Sequence, residues 1–369
     1  MTSFGSLMRR RRREVTLGEL LREFHFRDLL YLWGHRTAEL EIVPGLRSRF
    51  GPSEKFLFFS LKNSILLLRK RGFGVTFSEG QIVVTNFPYL EQPLRLPVPA
   101  YGPRELRNLF TLLRHGLTHG AGVGAVGARV PPRFWTLDVD HHIVTVNGTV
   151  RFYLDLIDPW TLTETYTLGI HQFARFEGTT VLDVGAEFGD SSLFFAAQGA
   201  RVIAVEPVAT NFDALQRNIA LNEGIGPRVG PVHAAIGPTG RQKMYGDPSL
   251  IQGNASAFPA PGADLSRLTA EEVDSFSVSD LLDHLGVDHV DHMKMDGKGC
   301  EYLLSSKDLA RVRGAVAIEY SPGPPDRLAE LVSRVRSAGF VVEVALHNPE
   351  SSGPLVEHGT IYGRRSVVP

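Results

Sequence analysis

LDVGAEFGDSS, residues 182–192, decides how the second half of the chain is read. An apolar run stops at Gly185, and a second glycine follows at Gly189, so the backbone can turn tightly and approach a ligand closely. Three carboxylates, Asp183, Glu187 and Asp190, crowd the same turn. A strand that ends in glycines and acids and leads into SSLFFAAQG reads as the ligand edge of a strand-turn-helix unit.

Around this unit, strands and helices alternate. TTVLDVGA, RVIAVEP, VGPVHAAI, VDHMKMD, GAVAIEY, FVVEVAL and GTIYGRR are seven strand candidates. NFDALQRNIALN, EYLLSSKDLARV and DRLAELVSRVRSAG have helical periodicity. Such alternation predicts an α/β fold with a doubly wound, mostly parallel seven-stranded sheet. The short NPESSGP connection makes the last two strands an antiparallel hairpin. Upstream, IVTVNGTVRFYL is a hairpin candidate turning at Asn147 and Gly148, and RELRNLFTLLRHGL is an amphipathic helix. We therefore expect an α+β accessory domain over 1–150, with a basic disordered start, and the sheet domain over 151–369.

Composition narrows the function. Of 369 residues, 43% are hydrophobic and 21% charged, as in an ordinary globular protein, and a formal charge of -1 disfavours nucleic acid as a partner. A single cysteine, Cys300, excludes an intrachain disulfide framework and fits a reducing, cytoplasmic location. Apolar runs are interrupted by charges well short of a membrane span. The Arg9 to Arg13 run reads as a solvated tail. Its rival is weak contact with an acidic membrane surface, since Val15, Leu17, Leu20, Leu21 and Phe24 fit one helical stripe.

The acidic turn separates two cofactor classes. A nicotinamide dinucleotide would set its pyrophosphate against Asp183, Glu187 and Asp190, and GAEFG lacks the third glycine of GxGxxG. S-adenosyl-L-methionine carries an ammonium and a sulfonium, which carboxylates hold. Glu206, ending the second strand in VIAVEP, is placed to accept from both ribose hydroxyls, and Ala235 and Ile236 offer a wall for an adenine ring.

The second chemical cluster is KMDGKGCEY, residues 294–302. On a strand, Lys294 and Asp296 share one face while Met293 and Met295 take the other. A buried Lys294 needs a counter-charge, for which Asp296, Glu301 and Glu319 are candidates. In the helix-opening position Cys300 reads as packing. His284, His289 and His292 alternate with aspartates but lie at the amino end of their strand, away from the ligand edge, and lack HExxH spacing, so no metal is expected. TLTETYTLGIHQF, before the first strand, offers Glu164, Tyr166 and His171 as cofactor-lining candidates.

LDVGAEFGD, AVEP, NFDALQRNIALN and MKMDGKGCEYLL, in that order, resemble the FkbM-type family of S-adenosylmethionine-dependent methyltransferases over about residues 175–363. Lys294, Asp296, Gly299, Cys300 and Glu301 occupy positions matching the family's second motif. The resemblance implies a class I methyltransferase (Rossmann-like) sheet and O-methylation, frequently of a sugar hydroxyl in a glycan or glycosylated metabolite. Lys298 stands where many members have glutamate, Gly297 where a larger residue is usual, and Glu187 where a general methyltransferase pattern often has glycine. On this reading Asp183, Gly185, Glu187, Gly189, Asp190, Glu206, Ala235 and Ile236 bind cofactor. Asp296 accepts the proton or orients the acceptor, Lys294 fixes its charge, and Glu301 caps the next helix or touches substrate. A non-catalytic cofactor-binding scaffold, with Gly297 and Lys298 marking lost activity, stays open at this point.

Overall fold

The computed structural model describes residues 37–51, 54–86, 93–98, 100–119, 135–246, 269–321, 325–346 and 358–365. The basic tail with the stripe behind it and the NPESSGP connection lie outside the described residues.

Backbone contacts divide the chain between Leu168 and Gly169. The first unit holds a two-stranded ribbon of β1 (Ala38–Val43) and β2 (Leu46–Phe50), and helix α1 (Lys55–Lys70). A three-stranded sheet follows, of β3 (Gly74–Ser78), β4 (Gln81–Thr85) and β5 (Leu94–Pro97), then α2 (Pro103–His119). A second three-stranded sheet contains β6 (Trp135–Asp138), β7 (Ile143–Val146) and β8 (Val150–Tyr153). The unit closes with α3 (Pro159–Thr163) and a π-turn over Glu164–Leu168. Asn147 and Gly148 both take left-handed φ, at 50° and 71°, which turns β7 into β8 as their sequence predicts. The boundary expected near residue 150 is corrected to 168. β8 starts at Val150 and pairs with β7, and Asn108 of α2 donates to the carbonyls of Leu154 and Ile157, so a cut at 150 would sever one cooperative unit.

The second unit contains the sheet. Its strands are β9 (Thr180–Val184), β10 (Arg201–Val205), β11 (Val229–Val232), β15 (Val290–Met295), β16 (Val312–Tyr320), β17 (Phe340–Leu346) and β18 (Gly359–Arg365), in the order β11-β10-β9-β15-β16-β18-β17. All pairs are parallel except those of β18, which runs antiparallel to both β16 and β17. Between them lie α4 (Asp190–Ala197), α5 (Ala209–Leu221), α6 (Val278–His284), α7 (Ser306–Ala310) and α8 (Pro325–Ser337). The doubly wound, mostly parallel seven-stranded sheet is thus present.

Its two faces differ in chemistry. Leu182, Val184, Met293, Met295, Val316 and Ile318 join Leu281, Leu309 and Leu331 of α6, α7 and α8 in one buried apolar cluster. Toward the amino ends of the strands, the opposite face meets Phe195 of α4, and Phe173 and Phe176 pack edge-on against Phe195 or His292. Toward the carboxyl ends that face becomes polar, because Asp183, Lys294 and Asp296 lie on it in strict alternation with the core residues.

Two expected elements divide differently. VGPVHAAI is not one strand: after β11 the chain leaves the sheet, and β12 (Ala235–Ile236) joins β13 (Gly240–Gly246) and β14 (Thr269–Phe276) in a separate three-stranded ribbon. EYLLSSKDLARV is not one helix. A 3-10 turn over Cys300–Leu303 stops at Leu304 (ψ 124°), and Ser305 and Asp308 form a reciprocal capping box that starts α7 anew.

Candidate active site

The first ligand edge is built from two backbone constraints. Gly185 has φ 74°, and a Cβ there would lie 2.2 Å from the carbonyl oxygen of Asp296. The end of β9 and the turn after β15 are therefore in backbone contact, and the amide of Asp296 donates to the carbonyl of Val184 at 3.0 Å. Gly189 has φ 95°, and a Cβ would meet Leu215 of α5 at 2.8 Å. Between them Glu187 itself sits at φ 48°. A non-glycine residue holds that conformation at some cost, which its amide offsets by donating to Glu206 Oε2 at 2.9 Å.

Beside this turn lies a pocket of about 640 Å³, part of it open to solvent. Gly185 and Glu187 line it from the first edge and Glu206 from the second. Ala234, Ala235 and Ile236 with Met244 form an apolar wall, and Asp296, Gly297, Lys298 and Cys300 close it from the fourth strand. Glu206 is almost fully buried. Burial pushes its carboxyl up to about 7, against the amides of Val208 and Glu187, the Asn211 amide and the charge of Lys294, which pull it down.

Asp183 is placed differently from expectation. It is fully buried and absent from the pocket wall. Ser191 and Ser192 donate to its Oδ2 at 2.7 and 2.6 Å, and Lys294 Nζ lies 3.1 Å from Oδ1. That last contact is an ion pair without the angle of a directed hydrogen bond. The counter-charge of Lys294 is thus Asp183, directly opposite in the β9–β15 register, and not Glu301. Lys294 also donates to the carbonyl of Gly185 at 2.8 Å, which ties the charged pair to the ligand turn. Desolvation draws the ammonium down, but Asp183, Asp296 and Asp190 outweigh it and hold Lys294 above its ordinary value. Asp183 therefore supports the cofactor turn from beneath. Asp190, buried too, is the first residue of α4 and not its cap, which is Gly189. Neither Asp190 nor Gly189 lines the pocket.

Of the two roles expected of Glu301, capping the next helix or touching substrate, its contacts favour the cap, since Gly299 is the residue that opens the Cys300–Leu303 turn. Glu301 is fully buried, and its two carboxylate oxygens accept from the amides of Gly299 and Ser321, both at 2.7 Å. Asp296 does stand at the pocket, its side chain 27% exposed. Burial raises its carboxyl, while Lys298 at 2.7 Å, Lys294 and His171 lower it, and the lysines win.

Glu319, expected as a candidate counter-charge for Lys294, is paired with Lys298 instead. Lys298 bridges Asp296 and Glu319, at 2.7 and 3.7 Å, and Glu319 is the last but one residue of β16. The signal was present in strand periodicity, because Glu319 lies two residues beyond Ala317, the register partner of Lys294. Gly297 also finds a reason. A Cβ there would fall 1.9 Å from Cys300 Sγ, so the cysteine sulfur fills the space a larger residue at 297 would take. Cys300 is buried, and its thiol is pushed well above the usual range by burial, with Glu301 and Asp296 adding to it.

Of the three further lining candidates, Glu164 and Tyr166 belong to the first unit, while His171 belongs to the second and is buried. Burial, and then the charge of Lys294, push it down to about 3, against Asp296, so it is neutral. The other histidines take separate partners. His284 stacks on Phe276, His289 meets Asp288, and His292 lies between the Arg175 carbonyl and the Ala315 amide.

The pocket suits S-adenosylmethionine. Two acids, Glu187 and Glu206, face it from the first two strand ends, and its far wall is apolar. Residues 183–342 match the family model described as Methyltransferase FkbM domain. No curated protein matches the chain. Similar solved structures include precorrin-6y C5,15-methyltransferase from Geobacter metallireducens GS-15, 13% identical, covering 55% of this chain and 89% of that one with a TM-score of 0.33. Trm5b from Pyrococcus abyssi is 16% identical, covering 65% and 58%, with a TM-score of 0.36. TYW2 from M. jannaschii, in complex with AdoMet, is 14% identical, covering 63% and 86%, with a TM-score of 0.35. Likenesses this distant carry no functional weight; the family match and the residues beneath it do. Residues 183–342 are an FkbM-type methyltransferase domain, and the chain that carries them is an S-adenosylmethionine-dependent methyltransferase.

Proposed function

We propose that the protein methylates a hydroxyl group of a sugar or glycoconjugate, with Asp296 orienting the acceptor. The observation that carries this reading is the position of Asp296. It is an ionised carboxylate at the pocket rim, held by two lysines, one strand away from the turn that carries Gly185 and Glu187. A carboxylate so held accepts a hydrogen bond from a hydroxyl well and takes its proton poorly.

S-adenosylmethionine supplies a methyl group already activated on cationic sulfur. The chain's own task is alignment and exclusion of water. In this reading Glu206 accepts from the ribose hydroxyls, and Ala235 and Ile236 pack against the adenine. Glu187 places negative charge beside the cationic part of the cofactor. Lys294, through Gly185 and Asp183, keeps the turn rigid. The unit before Gly169 is an accessory domain in this reading, and the single cysteine fits a cytoplasmic setting. Among the described residues no helix is long and apolar enough to cross a membrane.

Titration calorimetry with S-adenosylhomocysteine, paired with tritium transfer from S-[methyl-³H]adenosylmethionine into a cell extract and a panel of methyl glycosides, tests the proposal. Label should enter an alkali-stable ether on a glycoside. Asp296→Asn should slow transfer at least tenfold while cofactor affinity stays within threefold. Label found only in nucleic acid or protein would refute the sugar acceptor, and equal rates in the two proteins would remove Asp296 from the acceptor site.

A further inference from the structure

The strand registers place a polar row across the carboxyl edge of the sheet. Asp183 on β9 opposes Lys294 on β15, which opposes Ala317 on β16, which opposes Tyr362 on β18. Two residues further along β16, on the same face, Glu319 is the last but one residue of the strand, opposite Thr360 of β18. The row is closed at β9 and opens toward β16. Asp183 is fully buried, whereas the side chains of Asp296 and Glu319 are 27% and 23% exposed. A carboxylate at the open end of such a row is placed for a ligand.

The two carboxylates are not equivalent. Lys298 is 2.7 Å from Asp296 but 3.7 Å from Glu319, and among the described residues no hydrogen bond reaches Glu319. Asp296 is thus engaged, and Glu319 keeps its lone pairs. Glu319 also lies one strand beyond the pocket wall, on the far side of Asp296 and Lys298 from Glu206.

We infer that Glu319 takes the proton of the acceptor hydroxyl, and that Lys298 is the positioning residue that holds it beside Asp296. This rests on the hydroxyl-acceptor reading above. In the step, an oxygen lone pair of the acceptor forms the new O–CH3 bond. The S–CH3 bond breaks with its electron pair left on sulfur, which becomes a neutral thioether. The O–H proton passes to a carboxylate oxygen of Glu319. Charge is conserved, since a sulfonium and a carboxylate are consumed and a thioether and a carboxylic acid are produced. The groups facing Glu319 set its basicity. Burial first and the charge of Asp296 second push it up, with Glu301 adding to both, while Lys298 and Lys294 pull it down, and the carboxyl settles at about 7. Tyr362 on β18, neutral at these pH values, faces it across the sheet. A base of that strength is matched to neutral pH, as the lysine-held Asp296 is not.

The test uses the full chain and the same tritium assay, run from pH 5.5 to 9. Wild-type transfer should rise through about pH 7 and level off. Glu319→Gln should lose on the order of 100-fold or more in rate and lose that limb, with S-adenosylhomocysteine affinity within twofold of wild type. Lys298→Met should move the limb to higher pH, because it removes a cation and leaves two carboxylates together. Glu319→Gln that keeps both the rate and the limb overturns the inference. A second measurement needs no acceptor: the carboxyl ¹³C signal of Glu319, assigned by its loss in Glu319→Gln, is followed with pH in glutamate-labelled protein. Titration near 7 supports the assignment, and titration near the ordinary glutamate value overturns it. Wild type that binds S-adenosylhomocysteine but labels nothing refutes the hydroxyl reading separately, and the carbon titration still decides Glu319.

Discussion

Replacing Asp183 by alanine tests the central structural claim, that this residue serves Lys294 and the turn and not the ligand directly. Both partners are deeply buried, with side-chain exposures of 0% for Asp183 and 7% for Lys294. Alanine would leave an ammonium in the sheet with the Gly185 carbonyl as its remaining close partner, and two serine hydroxyls without their acceptor. Breaking a buried ion pair from one side costs about 3–5 kcal/mol. For a unit of this size that corresponds to a fall of roughly 6 to 20 °C in melting temperature. The sign with pH is also fixed. In the wild type Lys294 is held above its unfolded value of 10.5, so its contribution is complete below that pH and fades as pH rises through the folded value. Scanning calorimetry is the right assay, because Trp33, Trp135 and Trp160 all precede residue 169 and their fluorescence reports on the other unit. Asp183→Ala with Lys294→Met should recover much of the loss, since no charge is then stranded. A fall of less than about 3 °C for the single variant, roughly 1 kcal/mol, would refute the reasoning.

Three further outcomes follow from the site. Gly185→Ala meets both a left-handed φ and the Asp296 carbonyl oxygen at 2.2 Å, so S-adenosylhomocysteine binding by calorimetry should weaken at least 100-fold, whereas Gly178→Ala, with nothing within 4 Å of its Cβ but a similar φ, should leave it intact. Cys300, buried with its thiol pushed well above the usual range, should resist iodoacetamide at pH 8 in the folded protein and react fully in urea, as mass spectrometry would read. Glu206, raised to about 7 by burial, binds a proton in the folded state that the unfolded chain has released above its value of 4.5. Stability without cofactor should therefore decline as pH rises from 4.5 through 7, by on the order of 3 kcal/mol. Binding of S-adenosylhomocysteine at pH 6.5 should then release a proton, detected as a buffer-dependent enthalpy that Glu206→Gln removes.

Most of the sheet was legible because its pattern is local. Each of the seven strand candidates carries its own apolar run, and the glycines of LDVGAEFGDSS announce a turn before any tertiary contact is known. What the sequence concealed depends on register. Nothing local says that Lys294 lies opposite Asp183, yet that pairing turns a presumed cofactor ligand into a buried counter-ion. The second partner of Glu301, the Ser321 amide, was hidden for the same reason, since it follows the end of the neighbouring strand. The ribbon of β13 and β14 escaped because RQKMYG and TAEEVDSF are polar and gain strand character only by pairing with each other. The single strand expected over VGPVHAAI failed at His233, which stacks on Phe212 and bonds the Pro207 carbonyl, and so turns the chain out of the sheet.

The departure at Lys298 can now be argued from charge. The carboxyl edge of β15 and β16 brings Asp296 and Glu319 together on one face, and two adjacent, partly buried carboxylates repel. Lys298 reaches both from a left-handed turn position, at φ 50°, that Gly299 extends at φ 119°. A glutamate at 298 would place a third negative charge in the same cluster. Lysine instead neutralises Asp296 and leaves the charge of Glu319 to depend on pH. The turn is held open for this arrangement by the absence of a side chain at 297, where Cys300 Sγ lies 1.9 Å from any added Cβ. The residues 297, 298 and 300 are therefore one physical unit. A glycine admits the sulfur, the sulfur packs the turn, and the turn delivers the ammonium between two acids. Exchanging any one of them alone should disturb the other two.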